Sequence, residues 1–201
     1  MLYPPAEQIV KPTRKATTAV QVGMGPTVAR THEDYAALQV LTNVISDFPS
    51  GWLEQELRGR GPGLAYAVWA YQVTGVIPGY AAAGFNCGAD VVDEAIKRTL
   101  AVIERAKTED IDDATVARAK AATLTSELFG KQSNSDRATE AALNTMYGLP
   151  ADEQERFIAA VNKLDAKALK AAGQKYLVNP VVVVIKQQAA PAAEKPKGDA
   201  K

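Results

Sequence analysis

The residues with the most chemistry to offer lie between Glu56 and Tyr71, in the stretch Glu-Leu-Arg-Gly-Arg-Gly-Pro-Gly-Leu-Ala-Tyr-Ala-Val-Trp-Ala-Tyr. Arg58 and Arg60 flank Gly59, and Tyr66 comes beyond Gly61, Pro62 and Gly63. A guanidinium is a permanently charged fork of N–H donors and a phenol adds an O–H donor, so the set suits carbonyl and carboxylate oxygens. Glycines at 59, 61 and 63 with a proline at 62 permit a sharp turn with unusual backbone angles. The same residues also serve a plain helix-to-strand junction, where glycine ends the helix and arginine complements its C-terminal dipole. A phosphate cradle is excluded by order. Such a loop comes after a strand and opens a helix, whereas here a helix comes first, a strand comes second, and no Gly-Lys-Ser/Thr is present.

Metal chemistry has little to work with. His32 is the single histidine and Cys87 the single cysteine, so a zinc site would need both plus a carboxylate. A lone histidine beside a helix start reads as a surface or capping group, and a cysteine in an apolar strand as a small buried hydrophobe. One cysteine makes no intrachain disulfide, which leaves the compartment open.

The 201 residues are 47% hydrophobic and 23% charged, enough to bury the core of one domain. Twenty-three basic and twenty-three acidic side chains cancel, against the basic excess expected of a nucleic-acid binder. No run of eighteen apolar residues and no basic-then-apolar leader appears, so we expect no membrane span and a soluble chain, periplasmic or cytoplasmic.

The elements that must position the donors are set by periodicity. Residues 1–17 lack period and contain prolines, a linker or extended arm. Thr18 to Gly25 alternates as a half-buried strand. Thr31 and Asp34 suit a helix start, with the N-cap side chain reaching forward and the acidic residue in the first turn, and Leu38, Leu41, Val44, Ile45 and Phe48 form its apolar stripe. A short helix from Gly51 to Arg58 leads into the glycine turn. Leu64–Thr74 and Tyr80–Cys87 make an antiparallel hairpin. Helices then dominate. One stripe runs Val92, Ala95, Ile96, Leu100, Ile103, a second Ala117, Ala121, Leu124, Leu128, and three more helices cover about 135–146, 151–162 and 166–176. Val181–Ile185 is apolar throughout, as an interior strand is, and 188–201 has the composition of a disordered tail. The order predicts an α+β fold, a mostly antiparallel sheet covered on one face by helices, with residues 18–187 as the domain.

Residues 18–187 resemble the second, zinc-free domain of the pitrilysin/insulinase family of zinc peptidases, which includes the mitochondrial processing peptidases. The resemblance rests on Ala-Val-Gln-Val-Gly-Met-Gly, the helix from Asp34 to Asp47, and Ser-Gly-Trp-Leu-Glu-Gln-Glu-Leu-Arg with Gly-Leu-Ala-Tyr-Ala-Val after it. The segment 111–120 and the closing Ala-Leu-Lys-Ala-Ala-Gly-Gln-Lys-Tyr-Leu add to it. It implies half of a clamshell. The other half carries zinc on an inverted His-x-x-Glu-His motif, and this half lends an arginine and a tyrosine to the bound peptide, here Arg58 and Tyr66. This chain has one residue more between the two than the family phrase, so Arg60 is a second claimant to the arginine's place. No His-x-x-Glu-His occurs. The implied chain therefore carries no catalytic residue and no cofactor of its own, with zinc on a partner domain, and is inactive alone. Two other readings stand beside it: a non-catalytic structural or interaction subunit of the same fold, and an anion-binding module using Arg58 and Arg60.

Overall fold

The computed structural model describes residues 8–13, 17–59 and 63–187. Strands β1 (Gln8–Thr13), β2 (Thr18–Met24), β3 (Ala65–Val73), β4 (Tyr80–Cys87) and β5 (Val181–Gln187) form one sheet in the order β1-β5-β2-β4-β3. Every pairing is antiparallel except that of β1 with β5, in which Ile9 lies opposite Val183. The α+β class and the interior place of the valine run agree with the sequence. Within the segment read as linker or arm, residues 8–13 form a strand. Pro12 obscures it, yet an edge strand is where a residue lacking N–H is tolerated. The expected tail, 188–201, lies outside the described residues.

Alternation gives the sheet two different faces. Val20, Val22 and Met24 of β2, Ala81, Ala83 and Phe85 of β4 and Val184 of β5 are buried under the helices. Helix α1 (Tyr35–Ile45) is the centre of that layer. It touches β3 and three helices from the later part of the chain, so its residues are buried nearly all round, as a helix apolar on every side should be. On the opposite face Trp69 lies across Gly84, where an added Cβ would meet the indole at 2.7 Å. Next to it Tyr71 meets Tyr80 edge-on and donates a hydrogen bond to Gln21 Oε1 at 3.0 Å.

After the β3–β4 hairpin come α2 (Val92–Thr108), α3 (Asp113–Phe129), α4 (Asn134–Met146), α5 (Glu153–Lys163) and α6 (Ala166–Tyr176). Three sequence expectations need correction. Phe48 does not continue the α1 stripe: the helix ends at Ile45 and the chain turns, leaving Phe48 73% exposed. The buried side of α3 is Val116, Ala119 and Thr123, while Ala117, Ala121 and Leu128 face out. In an alanine-rich helix the apolar period is ambiguous, and the polar contact from Asn43 Nδ2 to Thr123 Oγ1 (2.8 Å) fixes the rotation. The helix starts at Tyr35, so Thr31 does not cap it and Asp34 is not in its first turn: Asp34 itself stands at the N-cap, and its side chain caps nothing. It accepts instead from Tyr176 Oη at 2.5 Å and Lys175 Nζ at 2.9 Å, tying the start of α1 to the end of α6.

Candidate functional site

Past α1 the chain makes one helical turn at Trp52 and Leu53 that widens into a π turn, Glu54–Arg58, closed by the Gly59 N–H on the Glu54 carbonyl at 2.7 Å. Trp52, Leu53 and Leu57 are buried and anchor this turn on the core. Gly51 makes the approach feasible, because an added Cβ would collide with the Asp47 backbone nitrogen and with Glu54 Oε2. The extra residue of a π turn displaces the side chains beyond it, and such turns recur at functional sites. Here Arg58 ends up on the surface with its guanidinium 5.5 Å from the centre of the Phe48 ring, a cation–π contact. Glu56 is drawn away to Arg98 (3.7 Å), and no carboxylate among the described residues pairs with Arg58.

The chain re-enters the described part at Gly63, whose φ of +64° is the left-handed conformation that glycine adopts freely. Leu64 and Ala65 are buried. The β3–β4 register then slips between Ala65 and Ala67, so Tyr66 is the extra residue of a bulge. Bulges re-aim side chains. Tyr66 is 66% exposed, and it faces the same hollow as Arg58. That hollow, about 320 Å³, is bounded by Phe48, Pro49, Glu54, Arg58, Gly59, Ala65 and Tyr66. The structure thus brings Arg58 and Tyr66 together around one concavity. Arg60, the second claimant, lies outside the described residues.

Glu54 forms the back of the hollow. It is buried, accepts from Ser46 Oγ at 2.8 Å, and leaves Oε2 without a partner among the described residues. Burial pushes its carboxyl above the ordinary range, against the opposing pull of the Ser46 hydrogen bond. Phe48 and Glu54 were not legible as site residues: their placement depends on where α1 stops and on the π turn. The one available sign was Pro49-Ser50-Gly51 immediately after Phe48.

A second hollow of about 390 Å³, between α3 and α4, is richer in charge but poorer in free donors. Its Lys131 is held by Glu127 and Glu140, and Arg30 approaches Glu140 at 4.0 Å and donates to Tyr35 Oη, which leaves only its buried Nε without a partner among these described groups. Metal ligation finds no set of residues either. Among the described residues no three His, Cys, Asp or Glu side chains converge. His32 caps locally, its Nδ1 accepting the Asp34 N–H at 3.0 Å. Cys87 is buried at the end of β4, its thiol pushed up to about 11 by burial and then by Asp90. No described helix is long and apolar enough to cross a membrane.

Residues 3–123 match the family model for the peptidase M16 inactive domain. No curated protein matches the chain. Among solved structures, the peptidase M16 inactive domain from Pseudomonas fluorescens superposes with a TM-score of 0.81 at 22% identity, over 93% of this chain and 44% of that one. The inactive peptidase domain of a candidate zinc protease from Bordetella parapertussis gives 0.77 at 19% identity, over 92% and 97%. A chain of complex III2 from Candida albicans gives 0.79 at 15% identity, over 91% and 46%. The chain therefore spans less than half the length of the Pseudomonas and Candida chains and nearly all of the Bordetella one.

Proposed function

Because the chain belongs to the pitrilysin/insulinase family as a peptidase M16 inactive domain, we propose that it is the substrate-contacting half of a zinc peptidase, paired with a half that carries the metal. The observation that supports this reading most is the pairing of Arg58 and Tyr66, both exposed, both on one hollow, with no described carboxylate on the arginine. An N–H fork and an O–H donor in that position fit the backbone oxygens of an extended peptide. On this reading the metal and the hydrolytic step belong to the partner half, and the work of this half is to bind and orient.

The test is reconstitution with a zinc-bearing half of the family. Arg58→Ala and Tyr66→Phe are each expected to lower kcat/KM by about a hundredfold, the scale on which one preorganised donor acts. The isolated chain is expected to hydrolyse no peptide with or without added zinc. The likeness to a complex III2 chain favours one other reading, a scaffold subunit. It predicts that both variants leave the reconstituted activity unchanged.

A further inference from the structure

A third hollow, of about 300 Å³, lies between the start of α1, the turn joining α4 to α5, and α5 itself. It shares no residue with the Arg58–Tyr66 hollow, and its size is that of the smallest ligand cavities. Phe157, buried with its ring 5.7 Å from that of Tyr35, forms an aromatic wall that Leu149 and Pro150 extend. The polar groups are unevenly satisfied. Tyr35 is only 9% exposed, and its Oη accepts from Arg30 Nη1 at 3.1 Å and from Gln39 Nε2 at 3.2 Å. Both lone pairs are thus used, yet the phenol's own proton meets no acceptor among the described residues. Burial raises the group, so it keeps that proton. Glu153, half-buried at the start of α5, forms no hydrogen bond or ion pair among the described residues. Burial raises its carboxyl above the ordinary range, against the pull of Arg30 and Arg156. Arg156 directs its Nε at both oxygens of Asp152, at 3.0 Å each, which leaves its terminal nitrogens without a described partner.

On this lining the guanidiniums of Arg30 and Arg156 are balanced by the carboxylates of Glu33 and Glu153, so neither a simple anion nor a simple cation is favoured. The unused groups call for one molecule that bears both charges. We propose that this hollow binds a free α-amino acid with an apolar side chain: its ammonium on Glu153, its carboxylate on the Tyr35 hydroxyl and Arg156, its side chain against Leu149, Pro150 and Phe157. Each charged end then meets a charge-assisted hydrogen-bond partner, the stronger kind. A peptide is the less favoured occupant. Its termini carry the two charges on different residues, whereas a hollow of this size suits one residue. The site stands apart from the substrate reading of Arg58 and Tyr66 and does not depend on it.

The experiment is calorimetric titration of the full chain with L-leucine, N-acetyl-L-leucine, L-leucinamide, glycine and the dipeptide L-leucyl-L-leucine. L-Leucine is expected to bind saturably, with a Kd on the order of a millimolar. Acetylation removes the ammonium, amidation the carboxylate and glycine the side chain, and each of these three is expected to bind about tenfold more weakly or worse. Glu153→Gln and Arg156→Ala are each expected to weaken L-leucine by about the same factor. Absence of saturable binding by L-leucine would overturn the proposal, as would any of the three analogues binding as tightly as L-leucine. An affinity for L-leucine that neither variant alters would place the binding elsewhere and overturn it too. Tighter binding of the dipeptide would overturn it in favour of a peptide end. The analogue series is run on the unaltered chain, so it decides the matter even where a variant fails to fold.

Discussion

Glu54 holds one carboxylate oxygen on Ser46 and buries the other without a described donor, an arrangement costly for an ionised group. Burial, the largest influence, raises its carboxyl above the ordinary 4.5, so the folded chain holds this proton more tightly than the unfolded one. Its favourable contribution is therefore complete below that ordinary value and is lost as pH rises through the folded value. Glu54→Gln keeps an acceptor for Ser46 and removes the charge. It is expected to stabilise the fold at neutral pH by about 1 kcal/mol, with little gain in acid. Urea unfolding at about pH 4 and about pH 8 reads this; a lower midpoint for the variant at the higher pH would show that the negative charge is stabilised after all. At this scale the sequence was informative about the donors, because arginine, tyrosine and clustered glycines declare their chemistry by type. It was silent on Glu54 and Phe48, whose roles come from a helix that ends early and a turn that carries an extra residue.

Among elements, the hairpin and the helix order were legible from their periods, and the interior valine strand from its unbroken apolar run. The rotation of α3 was not: with alanine on several sides, contacts made across the fold select the buried face, Thr123 with Asn43 and Arg118 with Asp47. Nor was the junction of α1 with α6, made by residues far apart in the chain. There burial acts to raise the Asp34 carboxyl, but the hydrogen bonds from Tyr176 and Lys175 outweigh it and hold it below the ordinary 3.8. A lowered carboxyl contributes stability above its ordinary value and loses it as pH falls through the folded one. Tyr176→Phe removes the O–H donor without changing the packed ring, and is expected to cost about 1 kcal/mol at neutral pH, less in acid. Thermal unfolding at neutral and acid pH checks it. An equal cost in acid would mean that the phenol matters by packing alone.

For the molecule as a whole, Cys87 is a ready reporter. Burial and then Asp90 push its thiol up to about 11, so at neutral pH almost none is thiolate and none of it is accessible. Thiol reagents are expected to label the folded chain slowly, at a rate that rises with denaturant in step with global unfolding. Labelling in plain buffer at the rate of a free thiol would show instead that the end of β4 opens by itself. The sheet order has a consequence for biosynthesis. β5 leaves the ribosome after the other described strands of its sheet, yet its place is between β1 and β2, the first two of them to be made. Until it arrives, both of those strands lack a neighbour, and the nascent chain must keep two early segments apart while all the helices are translated. Closure of the sheet is thus a late, long-range event, and an emerging chain stalled before Val181 would present vacant strand edges to chaperones and to other nascent chains.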